Sequence, residues 1–121
     1  MSTFTCSNGA VAIAEENGRA VATFSGAIDD PKPDAFLEPV FEAFEAKARQ
    51  SPAAVLDLVA LSFLNSNGIK CLANYVRRHM AVPADQRYEL TLRYTPAVTW
   101  QRATLKALAT MARDAVRLEA V

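Results

Sequence analysis

AAVLDLVALSFLNSNGIKCLANYVRRHM, residues 53–80, is the stretch whose reading decides the fold. Its first seven residues, Ala53 to Val59, form a short apolar run behind Ser51-Pro52. That length and those flanks predict a buried strand. Asn65-Ser66-Asn67-Gly68 is polar and turn-like. Beyond it, Ile69, Leu72, Ala73, Val76 and Met80 recur at helical spacing, with Lys70, Asn74 and Arg77 between them. The spacing predicts an amphipathic helix whose N-terminus lies at Asn65–Gly68, packing Ile69, Leu72, Ala73 and Val76 on a sheet. A strand followed directly by such a helix is half of a crossover unit.

The flanks repeat the pattern. Upstream, apolar residues alternate over Ala10–Glu15 and Arg19–Ser25 around Glu16-Asn17-Gly18, and Asn-Gly is a strong hairpin signal. Residues 1–9 are small and polar, and a loose start is expected there. Gly26–Asp34 holds two prolines and three aspartates and reads as a connection. Phe36, Leu37, Val40, Phe41, Phe44 and Ala48 then follow at helical spacing, with the regular helix expected to begin near Pro39 as its first residue. Downstream, Pro83–Arg87 is a loop, Tyr88–Tyr94 a strand, Trp100–Met111 a helix and Ala115–Ala120 a last strand. The expected fold class is α/β. It comprises one domain over residues 1–121, with a mixed, mostly parallel five-stranded sheet, an N-terminal antiparallel hairpin and three main helices.

Composition excludes several function classes. Thirteen basic residues balance thirteen acidic ones, whereas phosphate neutralisation calls for a basic excess, so no nucleic-acid partner is expected. Phe63, Tyr88, Tyr94 and Trp100 accordingly read as core rather than as a base-stacking platform. Arg77-Arg78-His79 closes a helix, where cations are favoured. Two cysteines make no disulfide framework, and Cys71 reads as a buried reduced thiol. No apolar run is long enough to span a bilayer and no leader pattern opens the chain, so a cytoplasmic protein without membrane insertion is expected.

Catalytic constellations are missing from the sequence. Ser66 has the residue type of a nucleophile, but the single histidine, His79, lies thirteen residues along the same helix, roughly 20 Å at 1.5 Å per residue. No phosphate loop, nucleophile elbow or metal-ligand spacing is present, so no catalytic residue, cofactor or metal is expected. Asp29, Asp30 and Asp34 are explained as turn and capping residues. Asp57 interrupts an apolar strand, and it either organises a site or faces outward. Asn65–Gly68 is readable as simple capping or as a phosphoacceptor at a natural anion site.

At these residues the chain resembles the STAS domain family, the anti-sigma factor antagonists and their relatives, from roughly Val11 to Val121. Phe24-Ser25-Gly26-Ala27-Ile28-Asp29 resembles the family's strand ending in Gly-x-x-Asp, and Val55-Leu56-Asp57-Leu58 its central strand with an aspartate. Ser62-Phe63-Leu64-Asn65-Ser66-Asn67-Gly68-Ile69 resembles its phosphorylation loop, usually Phe-x-Asp-Ser-Ser/Thr-Gly-Leu/Ile. The resemblance implies a non-enzymatic signalling domain that binds an anti-sigma factor or serine kinase-like protein and is released by phosphorylation of Ser66, with a phosphatase restoring it. Asn65, Ser66, Asn67, Gly68 and Asp29 are then the expected partner-binding residues, and Asp57 a site-organising one. Asn65 and Asn67 depart from the usual aspartate and serine or threonine. The alternative is a small-ligand sensor or constitutive scaffold without phosphorylation.

Overall fold

The periodic segments form strands and helices in the order their spacing implies, in a computed structural model that describes residues 2–112 and 114–121. The strands are β1 (Ser2–Thr5), β2 (Gly9–Glu16), β3 (Arg19–Ile28), β4 (Ala53–Leu64), β5 (Glu89–Tyr94) and β6 (Val116–Ala120). The helices are α1 (Asp34–Ala48), α2 (Ser66–Ala81) and α3 (Thr99–Met111), with a short 3₁₀ turn at Ala84–Gln86. Asn17 and Gly18 both take positive φ, 53° and 76°, at the β2–β3 turn. A tight hairpin demands this conformation, and Asn-Gly adopts it at little cost.

The strands lie in the sheet in chain order, β1-β2-β3-β4-β5-β6. β1, β2 and β3 pair antiparallel, and β3 through β6 pair parallel. Each parallel step moves one place in the same direction, so right-handed crossovers put α1, α2 and α3 on one face. The core agrees. Phe24, Leu56 and Leu92 of the sheet share a buried cluster with Leu37, Phe44, Val76 and Leu105 of the helices. Side chains alternate along a strand, so the row Thr23, Asp57, Arg93 and Glu119 faces the other way.

Four expectations need correction. The sheet has six strands rather than five, because Ser2–Thr5 pairs with Ala10–Ile13 where a loose start was expected; Met1 lies outside the described residues. The extra strand is only four residues long, and Phe4 ties it to the core. Helix α1 begins at Asp34, five residues before Pro39, which lies inside it and is exposed. Phe36 and Leu37 both donate to the carbonyl of Pro33, at 3.1 and 2.8 Å, and buried Leu37 holds this first turn to the core. Cys71 is a free thiol but only half-buried, with burial, and then the nearby acids, pushing its pKa up. Phe63 is not core; it is 47% exposed. The remaining packing holds, with Leu72 and Val76 buried and Ile69 and Ala73 packed against the cluster.

Candidate functional site

Strand β4 carries the chain to the loop that ends in Ser66, and its far half is irregular. Its pairing with β5 ends at Asp57–Arg93, and its register against β3 shifts between Thr23 and Ser25 and again between Gly26 and Ala27. Backbone groups freed at such breaks need partners. Asp57 supplies one, its Oδ1 accepting from the amide of Val59 at 3.1 Å. Its other oxygen meets Arg93 at 3.3 Å, and Arg93 also pairs with Glu119 at 3.2 Å. Asp57 thus sits on the face away from the helices, outward-facing and ion-paired, while bracing the first irregularity of β4.

Helix α3 supplies the rest. Gln101, fully buried, donates from Nε2 to the carbonyls of Leu58 and Leu61 at 2.5 and 2.8 Å and accepts from the amide of Thr95 at 2.9 Å. Trp100 adds a bond from Nε1 to Leu61 at 3.1 Å. Ser62 reaches across to the carbonyl of Gly26 at 2.9 Å. The tip of β4 is therefore held on both sides before the loop begins.

Asn65 sets the loop itself. Its Oδ1 accepts from the amide of Gly68 at 2.8 Å, capping α2. Its Nδ2 donates to the carbonyl of Asp30 at 2.8 Å, and its own amide donates to the carbonyl of Ile28 at 3.0 Å. Gly68 is buried, and a Cβ there would lie 2.4 Å from Leu64 Cδ1 and 3.0 Å from its Cγ. Asn65 and Gly68 thus hold helix, strand and the Asp30 loop together.

Ser66 and Asn67, the first two residues of α2, are both exposed. The Ser66 hydroxyl makes none of the hydrogen bonds that fix the loop. Asp29 is exposed on the loop bound by Asn65, and it accepts from Asn8 Nδ2 at 3.2 and 3.4 Å, while Ser7 donates to Asp30 at 3.2 Å. Exposed Phe63 lies on the strand tip just before the loop. The surface around Ser66 therefore combines one free hydroxyl, one large apolar side chain and two acids at a helix N-terminus. Such an end attracts anions through its free amides and dipole.

Sequence reasoning missed Ser7, Asn8, Phe63 and Gln101. Phe63 had a readable sign, since it lies in the stretch that matches the family's loop. The other three had none, because their partners lie twenty or more residues away in the chain. Among the described residues no group of three or more His, Cys, Asp or Glu is placed to hold a metal. No described helix is long and apolar enough to cross a membrane.

No family model matches the chain, and no curated protein does. Among solved structures, an anti-sigma factor antagonist from Mycobacterium paratuberculosis matches with a TM-score of 0.65 and 25% identity, over 90% of this chain and 85% of that one. With the stretches 24–29, 55–58 and 62–69 forming the end of β3, the middle of β4 and the start of α2, the chain is a STAS-like domain, similar in structure to an anti-sigma factor antagonist.

Proposed function

We propose that this domain binds a regulatory protein of the anti-sigma factor or serine kinase type through the surface around Ser66, and that phosphorylation of Ser66 releases it. The observation that carries the reading is Ser66 itself, exposed with an uncommitted hydroxyl on a loop otherwise pinned by hydrogen bonds. The similarity to an anti-sigma factor antagonist supports the class of partner.

The physics of the switch follows from the helix end. A phosphate brings a charge of about −1.5 to −2 and three acceptor oxygens. The N-terminus of α2 tolerates that charge, so the fold survives modification. A partner surface fitted to a neutral hydroxyl does not tolerate it, because an unpaired charge resists burial. Binding rather than catalysis is the activity, since buried His79 lies near the opposite end of α2 from Ser66.

The test is peptide-level mass spectrometry of the protein isolated from its native cells, with and without prior phosphatase treatment. Phosphate on Ser66, together with partner recovered only by the unmodified form, supports the reading. A domain that carries no phosphate under any growth condition and holds its partner throughout is a constitutive scaffold instead.

A further inference from the structure

Strand β6 ends the sheet on one side and pairs with β5 alone, over its whole length and without a register shift. A strand in a parallel pair bonds its neighbour through every second residue. The amide of Val121 donates to the carbonyl of Tyr94 at 2.8 Å, so Arg117 and Glu119 also turn their backbone groups toward β5. Those of Val116, Leu118 and Ala120 then face outward. Ala112 takes the Val116 amide at 2.9 Å, which leaves the amides of Leu118 and Ala120 and the carbonyls of all three without partners among the described residues. Such an edge is a template for another strand unless proline, a bulge or like charges blunt it. β6 has no proline and no bulge, and its two charges are of opposite sign.

Those charges are Arg117 and Glu119, both on the sheet face away from the helices, with side chains 69% and 48% exposed. Each ends a run of alternating sign. Asp57, Arg93 and Glu119 cross three strands at 3.3 and 3.2 Å, and Glu89 reaches Arg117 at 3.2 Å. An antiparallel copy of β6 paired about Leu118 sets Arg117 opposite Glu119 of the second copy, and Glu119 opposite its Arg117. The acid-ended run thereby continues into a base, and the base-ended run into an acid. In the same register the two Leu118 backbones bond each other, and each Ala120 amide meets the free Val116 carbonyl across the axis. Moving the strands by two residues sets arginine against arginine or glutamate against glutamate. Moving them by one sets an outward-facing backbone against an inward-facing one.

We propose that β6 pairs with β6 of a second copy, antiparallel about Leu118, joining two six-stranded sheets into one. On the helix side, half-buried Leu118 packs on the core beside Lys106, Ala109 and Thr110 of α3, and the pairing sets it against its own copy. The two-fold relation closes the contact at two copies. β1 is the sheet's other edge, but Ser2–Thr5 carries no charge to fix a register. An edge as short as β6 buries less surface than a standard interface, so the dimer is weak, with a Kd of about 0.1 mM. None of these residues belongs to the Ser66 surface, so pairing at β6 and release at Ser66 stand or fall separately.

Sedimentation equilibrium on the full chain, at concentrations up to about 1 mM, tests this with a charge exchange. Wild type should pass from monomer to dimer over that range. Arg117→Glu and Glu119→Arg each set like charges opposite one another at both crossings, and each alone should weaken the dimer about tenfold or more. Mixed in equal amounts, the two variants place glutamate opposite arginine at every crossing and should dimerise again. The intramolecular ion pairs lost with them are exposed and contribute little to folding, and recovery in the mixture shows that both variants are folded. The proposal is overturned if wild type stays monomeric throughout, if either variant alone dimerises as wild type does, or if the mixture dimerises no better than its components.

Discussion

The side-chain amide of Asn65 donates to the backbone carbonyl of Asp30 at 2.8 Å, while its oxygen caps the amide of Gly68 at the same distance. An aspartate, usual in the family at this position, has the oxygen but not the donor. The asparagine is therefore a structural choice that joins the β3 exit to α2. Asn65→Asp keeps the cap and leaves the Asp30 carbonyl facing a carboxylate. A loss of about 1–3 kcal/mol in urea unfolding is expected, and an unchanged midpoint would show that the Asp30 bond contributes nothing.

Gly68 lets the first turn of α2 rest on Leu64. In an open helix, alanine would gain about 1 kcal/mol over glycine. Here the added Cβ lies 2.4 Å from Leu64 Cδ1 and 3.0 Å from Cγ, too deep for a methyl rotation to relieve. Gly68→Ala should therefore destabilise by about 1–3 kcal/mol. Leu64→Ala should cancel part of that cost, so a double-mutant cycle with purely additive losses would refute the steric cause.

Gln101 stands in for the strand that β5 ceases to provide beyond Asp57. Gln101→Leu keeps the volume but strands the buried Leu58 carbonyl and leaves the half-buried Thr95 amide without its acceptor. At least about 2 kcal/mol should be lost, with faster amide exchange at Thr95 by NMR. Protection of Thr95 unchanged from wild type would count against this account.

These residues also mark how far the sequence is readable. Periodicity was enough for Val55–Leu58 and for Ile69–Val76, because each buries a face whose spacing the chain itself displays. The motif at 62–69 located the loop and the start of α2. β1 escaped because four residues carry too little alternation, and the start of α1 escaped because Pro39 outweighs local signals. Gln101 looks like an ordinary polar residue in an Ala- and Leu-rich helix. Its burial follows from β5 ending at Tyr94 while β4 runs on to Leu64, a tertiary event that no local pattern records.

His79 makes stability depend on pH in a predictable direction. Burial, then the charge of Arg87, lowers its pKa from 6.5, while Glu45 and the carbonyls of Ala115 and Tyr88 oppose the shift. The unfolded chain thus takes up a proton at a pH where the folded one does not. Folded-state stability is full above the unfolded pKa and falls as pH drops toward the folded value. Between about pH 7 and pH 5, wild type should lose more stability than His79→Phe, by urea unfolding in matched buffers. Parallel pH profiles for the two proteins would remove His79 as the cause.

The switch is tested most directly by pairing Ser66 with Phe63. Phe63 is the large apolar side chain exposed next to the Ser66 loop, and exposed aromatics are frequent anchors of binding energy at interfaces. Phe63→Ala should weaken partner binding about tenfold or more, with little change in melting temperature because the ring is not in the core. Ser66→Asp brings a negative charge to the same surface, close to Asp29 and Asp30. Desolvating it against a partner fitted to a hydroxyl costs about 3 kcal/mol, which is more than a hundredfold in affinity. Ser66→Ala removes the acceptor site for phosphate and nothing that holds the loop, so it should bind as wild type does and stay bound when kinase and ATP are added. Calorimetry with the captured partner separates the outcomes. If Ser66→Asp binds as tightly as wild type while Phe63→Ala does not, the surface is right and the switch is wrong. If neither change matters, the partner docks elsewhere on the domain.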